Sequence, residues 1–526
     1  MGAEACELPW RWGMIRLFCL IILALCIRPG PSFAQGAPRR GRDPKILTFQ
    51  IAQADTVAQL LEVLEAAVDK QIFNDIHASA ACTRLASFER KGTLTKGDGE
   101  SPVLGKLARR IEVVAKQGQL QARGVANILW ALAKLFVAIP VVLLAVPSLA
   151  RAATDHAKGM NAQELANSIW ATAELQDASP GVLRALPALV AQVRSTACEM
   201  KPQELSNVLL AAAKLRGVRA EVRTIVAGMV AEMPVKVGDM SPQHLSNSLW
   251  AAAQLQGIAP KVLKLVPVLV EQIPPKAGAM TPQGLCKSLW AAAQLQEGAP
   301  EVLRIVPAVA TRIAGKAPEL IPQGVSSSLW AAAKLQDAVP EVVHMVPALV
   351  AELPGKVQME SQALSNCLFA VMRLEDVAPE VLQAVPHLVK EVPKRIGSMN
   401  PQELAKTLEA MVLLEDCVPI PELPSMVAAA AARLKQILPK LEGLNFTVPP
   451  VVWACAKTET YDPALLAAVA KRFASDRPIN LLPAWNLCAL TWAYRKLDQD
   501  VVFGELVGRL EAAIARRGLR EEEVLA

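Results

Sequence analysis

Polar side chains recur at fixed distances from a repeated tryptophan, and these residue types suit the binding of another molecule. Three residues before the tryptophan, or before the residue in its place, stand Asn127, Asn167, Asn207, Asn247, Lys287, Asn366 and Lys406. Four residues after it stand Lys134, Lys214, Gln254, Gln294, Lys334 and Arg373, and seven before it stand Arg123 and Gln243. Amides and amines can donate to the base edges of single-stranded RNA, and cations can neutralise its phosphates. The set, with its equivalents in other repeats, is a candidate RNA-binding site and is called the polar ribbon below.

Two other interpretations of the ribbon stay open at this stage. An asparagine at a fixed place in each repeat can instead satisfy backbone groups of the neighbouring repeat. The Lys, Gln and Arg side chains can form an ordinary solvated surface. The tryptophan can stack on a base, but Leu210 and Phe369 replace it in two repeats and share only its bulk and apolarity. Packing between repeats is therefore the favoured role of the tryptophan.

Residue types that catalyse reactions or hold metals form no recognisable pattern in the chain. The five histidines are scattered and none belongs to an HExxH motif. The chain has no GxxxxGK[ST] loop, no GxGxxG after a strand and no GxSxG elbow. The cysteines include no CxxC pair, and we expect them to be buried, small apolar side chains. The sequence predicts a protein that is not an enzyme and has no cofactor or metal site.

The ribbon is positioned by a segment that recurs every 40 residues, with a slip of one residue before Phe369. In the copy at residues 240–256, Ser241 is predicted to cap a helix and Pro242 to begin it. Met240 and Leu245 match a hydrophobic staple. Spacings of four and seven residues place the ribbon positions on one helical face. A period of this length predicts an all-α fold, an α-solenoid of about ten two-helix repeats.

The predicted second helix of the repeat carries an internal proline in six copies. These prolines are Pro147, Pro187, Pro267, Pro307, Pro347 and Pro386, and only Ala227 breaks the series. A proline within a helix removes one hydrogen bond and kinks the helix. We therefore predict a kink in each second helix that sets the curvature of the solenoid. The alternative is two short helices, with the proline beginning the second.

Five segments divide the chain. Residues 1–34 resemble a signal peptide, with an apolar run of eleven residues and small residues at 32–34. Residues 35–45 form a basic, transit-like segment, residues 46–118 a degenerate helical cap, residues 119–438 the regular repeats, and residues 439–526 degenerate repeats and a second cap. The two-part leader predicts delivery to a plastid, with the mitochondrion as the alternative, and no stable membrane insertion of the mature chain.

Short runs in the first helices resemble those of organellar RNA-processing proteins. The runs are SNSLWAAAQL, ANILWALAKL and ALTWAYRKL, and the likeness covers roughly residues 120 to 500. They resemble octotricopeptide-repeat proteins, the FAST-kinase-like and RAP-domain group, and the RNA-editing substrate-binding complex subunit 6 type. The resemblance implies an α-solenoid that binds organelle transcripts. The sequence departs from these families in one respect, because no RAP-like domain is recognisable at its C-terminal end.

These observations predict a non-catalytic organellar factor that binds single-stranded organellar RNA and supports its processing, stability, editing or translation. Other RNA-processing proteins are possible partners. The rival hypothesis is a protein–protein interaction scaffold of the armadillo or HEAT type. A net charge of +6 over 526 residues allows an RNA partner without arguing for one. The charge of the surface that carries the ribbon is the feature that separates the two hypotheses.

Overall fold

The computed structural model describes residues 44–215, 217–356, 359–440, 446–497 and 502–525. Within these ranges the chain forms only helices and their connections, arranged as twelve stacked helix pairs. The prediction of an all-α solenoid is confirmed, although the described residues form twelve helix pairs where about ten were predicted. The leader, residues 1–34, lies outside the described residues, as does the transit-like segment except for its last two residues, which begin the first helix.

The first helices of the pairs form one row and carry the tryptophans. They are Pro44–Gln53, Asp75–Arg90, Ala122–Leu135, Ala162–Leu175, Pro202–Lys214, Pro242–Leu255, Pro282–Leu295, Pro322–Leu335, Ser361–Leu374, Pro401–Leu414, Val448–Lys457 and Ala484–Leu497. Each packs mainly on the first helices before and after it. The predicted start of the helix is present, since Ser241 Oγ accepts from the backbone of His244 at 3.3 Å. Met240 and Leu245 are both buried, as a staple requires.

The second helices form the other row and come in two kinds. Continuous α-helices are Val57–Ala67, Pro102–Lys116, Arg219–Lys236, Leu423–Ile437, Pro463–Arg472 and Gly504–Arg516. Six others join a 3-10 helix to an α-helix: Pro140–Ala145 with Val146–His156, Pro180–Ala185 with Leu186–Thr196, Pro260–Leu265 with Val266–Lys276, Pro300–Ile305 with Val306–Gly315, Pro340–Met345 with Val346–Glu352, and Pro379–Ala384 with Val385–Val389.

Short helices complete the described chain. Six are 3-10 turns, at Ala157–Gly159, Ala197–Glu199, Val237–Asp239, Ala277–Ala279, Ala317–Glu319 and Leu438–Lys440. Four are short α-helices, at Lys96–Gly99, Val392–Arg395, Asp476–Asn480 and Glu521–Leu525. No described helix is both long enough and apolar enough to cross a membrane.

The prediction of a proline kink was wrong, and the alternative of two short helices is what the structure shows. In each of the six copies the proline is the second residue of the α-helix that follows the 3-10 helix, as Pro267 is in Val266–Lys276. A missing N–H is tolerated there because the first-turn N–H groups have no partner within the α-helix. The repeat with Ala227 has one unbroken helix, Arg219–Lys236. The proline therefore marks where 3-10 geometry changes to α geometry.

Two rows of side chains tie each repeat to the backbone of its neighbour. Lysine Nζ atoms donate to the carbonyl of the staple residue one repeat earlier, from Lys236 to Met200, Lys276 to Met240, Lys316 to Met280 and Lys356 to Leu320. Glutamine amides donate to a carbonyl one repeat later, from Gln176 to Lys214, Gln256 to Gln294, Gln296 to Lys334 and Gln336 to Arg373. Leu249 is fully buried and belongs to the apolar core that these two rows of hydrogen bonds flank.

Candidate functional site

The first helices place every predicted ribbon residue on the side of the solenoid that carries the tryptophans. Exposed members are Arg123, Lys134, Gln243, Gln254, Lys334, Arg373 and Lys406. Partly buried members are Asn127, Asn167, Asn207, Lys214, Lys287, Gln294 and Asn366. Asn247 is 9% exposed and counts as buried. In the repeats that carry the ribbon, the rest of each first helix is mostly buried. Four positions per repeat therefore form a narrow stripe open to solvent: the tryptophan position and the positions seven before, three before and four after it.

The aromatic residues of the stripe pack on one another across repeats. The ring centroids of Trp250 and Trp290 lie 6.3 Å apart, as do those of Trp290 and Trp330, with interplanar angles of 36° and 29°. These distances fall within the preferred range of about 4.5–7 Å for aromatic pairs. These three rings are half-buried, so part of each ring surface is used for packing and part meets solvent.

Trp170 and Phe369 make no ring contact with a described residue, and a lysine of the preceding repeat lies over each of these rings instead. Lys134 Nζ lies 4.2 Å from the Trp170 ring centroid, and Lys334 Nζ lies 5.4 Å from that of Phe369. Partial burial lowers the pKa of the Lys134 ammonium; the carboxylate of Glu174 opposes this shift, and the charge of Lys214 adds to it. An anion bound beside Lys134 would favour its charged form.

Two further cations of the same kind were missed by the sequence reasoning. Lys457 Nζ lies 5.5 Å from the Trp453 ring centroid and 5.4 Å from that of Trp492, and Lys496 Nζ lies 5.4 Å from that of Trp492. Both stand four residues after a tryptophan, which is the spacing already used for Lys134. The signal was present, but the C-terminal repeats are too degenerate for it to stand out.

The four stripe positions carry a strong excess of positive charge. From Ala122–Leu135 to Ala484–Leu497 they hold nine cations and two carboxylates, Glu174 and Glu409. Three of the cations form ion pairs: Lys214 with Glu174, Arg373 with Asp337 at 3.7 Å, and Lys496 with Glu459 at 3.8 Å. The other six have no ion pair with a described residue. The mild net charge of the whole chain conceals this local excess.

The asparagines of the stripe do not satisfy the backbone of the neighbouring repeat. The side-chain amides of Asn127, Asn167, Asn207 and Asn366 make no hydrogen bond within the described part of the chain. Asn247 Oδ1 accepts from Lys287 Nζ at 3.0 Å, which joins two ribbon members across repeats. The backbone carbonyls are instead satisfied by the lysine and glutamine rows described above. The open interpretation of these asparagines as backbone partners is therefore wrong.

Groups suited to metal binding or thiol chemistry do not form a site in the described residues. No three or more His, Cys, Asp or Glu side chains there lie close enough to hold a metal ion. Five cysteines are buried, but Cys198 and Cys417 are exposed, so the prediction that the cysteines are buried was wrong for these two. Cys417 Sγ donates to a carboxylate oxygen of Glu375 at 3.2 Å, and that bond raises the pKa of the Cys417 thiol.

Comparisons with known proteins assign this chain to no family. No protein-family model matches the chain, and no curated protein matches it. Among solved structures it is similar to a chain described as a homology model of the full-length AP-3 complex in an intermediate open conformation, with 9% identity and a TM-score of 0.31. That likeness covers 90% of this chain and 89% of the other. A similarity at this level carries no argument about function.

Proposed function

We propose that this protein is a non-catalytic RNA-binding factor that holds single-stranded RNA along the polar ribbon. The observation that carries the proposal is the charge of the stripe, with nine cations against two carboxylates on one face of the solenoid. RNA binding depends on cations that neutralise phosphates. A protein partner for this face would have to be correspondingly acidic, and no feature of the described chain selects such a partner.

The hydrogen-bonding groups of the stripe also suit RNA. Four asparagine amides have no partner within the described residues, and each offers two donors and an acceptor. Bases of single-stranded RNA expose edges that take such bonds. Repeats that present one polar set each are a known means of reading successive bases. The rings of Trp250, Trp290 and Trp330 act chiefly as a packed floor of this surface, because they already contact one another.

The cellular role follows from the leader and from the resemblance of the repeats. We place the mature protein in a plastid, with the mitochondrion as the alternative, where it would support processing, stability, editing or translation of a transcript. The basis for this placement is the signal-like and transit-like sequence of residues 1–45. Imaging of a fluorescent protein fused behind those residues tests it, and a cytosolic signal would contradict it.

The RNA proposal is tested by removing cations that form no ion pair with a described residue. In the ribbon variant, Lys134, Lys334 and Lys406 are changed to Gln; Lys214 and Arg373 are left intact because their removal would leave Glu174 and Asp337 unpaired. The control variant changes Lys261, Lys264 and Arg304 to Gln. These side chains are exposed on the second helices, so the net charge falls equally in both variants.

Affinity for single-stranded RNA is measured from about 50 to 200 mM salt, and circular dichroism checks the fold. Each lost phosphate contact reduces the slope of log affinity against log salt by about 0.7. We therefore expect the slope of the ribbon variant to fall by about 2, and that of the control variant to stay unchanged. Equal slopes in the two variants, or no RNA binding by the unmodified protein, would refute the proposal and leave the scaffold hypothesis as the better one.

A further inference from the structure

A cavity of about 820 Å³ opens at the N-terminal end of the ribbon. It lies between the first helices Asp75–Arg90 and Ala122–Leu135 and runs along the face that carries the stripe. One wall includes the small side chains of Ala80 and Thr83 beside larger ones such as Ile76, and the other wall includes Asn127 and Trp130. This volume falls within the range of about 300–1,000 Å³ that is typical of small-ligand sites.

The cavity exists because one repeat lacks its aromatic residue. The burial pattern of Asp75–Arg90 aligns Thr83 with the tryptophan position and Ala80 with the asparagine position of the later repeats. In those repeats a ring such as Trp290 contacts the ring before it. Trp130 has no such neighbour, and it makes no ring or cation contact within the described residues. Its half-buried ring therefore faces space that a second ring would otherwise fill.

Charged and polar groups are distributed along the cavity. Arg123 and Arg90 line it and are exposed, and neither forms an ion pair with a described residue. Arg84 also lines it, but its guanidinium donates to the Ala54 carbonyl and lies over the Phe88 ring. Asp75 is the one lining carboxylate. Positive charge thus outweighs negative charge, while the amide of Asn127 has no hydrogen bond within the described chain.

We propose that this cavity holds one nucleobase of a bound single-stranded RNA. The base stacks on Trp130, the Asn127 amide donates to or accepts from its edge, and Arg123 binds an adjoining phosphate. The rings of Trp250, Trp290 and Trp330 contact one another, and lysines lie over the rings of Trp170, Phe369, Trp453 and Trp492. The Trp130 ring has neither kind of contact within the described residues, so its face is open to a base. The inference deepens the proposed function and rests on it.

Two substitutions that change the cavity in opposite ways test whether a base stacks on Trp130. Trp130→Leu removes the ring at a position where the repeat of Leu210 already tolerates leucine. Thr83→Trp keeps Trp130 and fills the cavity with the residue that other repeats carry there. The matched control is Trp290→Leu, because that ring is already contacted on both sides, by the rings of Trp250 and Trp330. Circular dichroism and thermal melting check all three.

Affinities are measured for oligo(A), oligo(C), oligo(G) and oligo(U) dodecamers. Stacking of one base contributes about 1–3 kcal/mol, which corresponds to about a fivefold to 150-fold change in affinity. We expect Trp130→Leu and Thr83→Trp each to weaken binding at least about fivefold, and Trp290→Leu to weaken it less than about twofold. Asn127→Ala should change the order of preference among the four oligomers, because base-edge contacts set sequence preference.

The outcomes separate this inference from the proposed function. If the unmodified protein binds RNA but Thr83→Trp and Trp130→Leu bind as tightly as Trp290→Leu does, the cavity holds no base, and the RNA-binding surface stands without it. If Asn127→Ala leaves the order of preference unchanged, the assigned base-edge contact is wrong. If the unmodified protein binds none of the four oligomers, the proposed function and this inference fail together.

Discussion

Replacement of Lys276 by Met should loosen the joint between two adjacent repeats. Lys276 Nζ donates to the carbonyls of Gly238 at 2.7 Å and Met240 at 2.9 Å. A hydrogen bond from a charged group contributes about 1.5–3 kcal/mol. Both bonds depend on one partly exposed ammonium, so we expect a total loss near that of a single bond, about 1.5–3 kcal/mol. Methionine retains most of the apolar stem, so the change chiefly removes the donor.

The assay is native-state hydrogen exchange, because a solenoid opens locally and a global transition would average the effect. A loss of 1.5–3 kcal/mol corresponds to about 12- to 150-fold faster exchange, and it should centre on residues 237–245 and the two adjoining repeats. The matched control is Lys264→Met, since Lys264 is exposed and has no hydrogen bond or ion pair with a described residue. Equal exchange in the two variants, or acceleration spread evenly from residue 46 to 520, would refute the reasoning.

Two further predictions concern the core and the thiols. Leu249→Ala should lower the free energy of unfolding of its region by about 2–5 kcal/mol, because Leu249 is fully buried; urea unfolding read by exchange in adjacent repeats checks this, and a change below about 1 kcal/mol would contradict it. In the folded protein at pH 8, iodoacetamide should modify exposed Cys198 first and Cys417 more slowly, since Glu375 raises the pKa of the Cys417 thiol. Cys82, Cys367 and Cys455 should stay unmodified because they are buried and burial raises the pKa of each thiol to about 12, leaving almost no thiolate; mass spectrometry of the alkylated peptides that found them modified early would contradict the burial.

The sequence was sufficient to predict the solenoid and the face that the ribbon occupies. A 40-residue period with a single slip defines the regular repeats. The helix start at Ser241 follows from local chemistry that needs no distant partner. The proline series allowed two geometries. The choice between a kink and a 3-10 to α junction depends on how the segment from Pro260 to Leu265 packs, and a pattern within one helix does not report that packing.

The features that sequence reasoning missed depend on neighbouring repeats. The lysine row is invisible in one repeat, because the acceptor of Lys276 is a backbone carbonyl 36 residues earlier. The cavity beside Trp130 was missed because the repeat that contains Thr83 is degenerate, and its alignment becomes clear only from which side chains are buried. The charge excess of the ribbon was hidden by a net charge averaged over the whole chain.

The lysine and glutamine rows have a consequence for how such a protein can change in length over evolution. Each joint uses a donor at the same place in the unit and a backbone carbonyl at the same place in the next or previous unit. A duplicated or deleted unit would therefore recreate identical joints at its borders, with no compensating substitution elsewhere. Each duplication would lengthen the binding surface by one helix width, about 8–10 Å. The footprint on a bound partner could thus grow or shrink in whole steps while the stability of every remaining joint stayed the same.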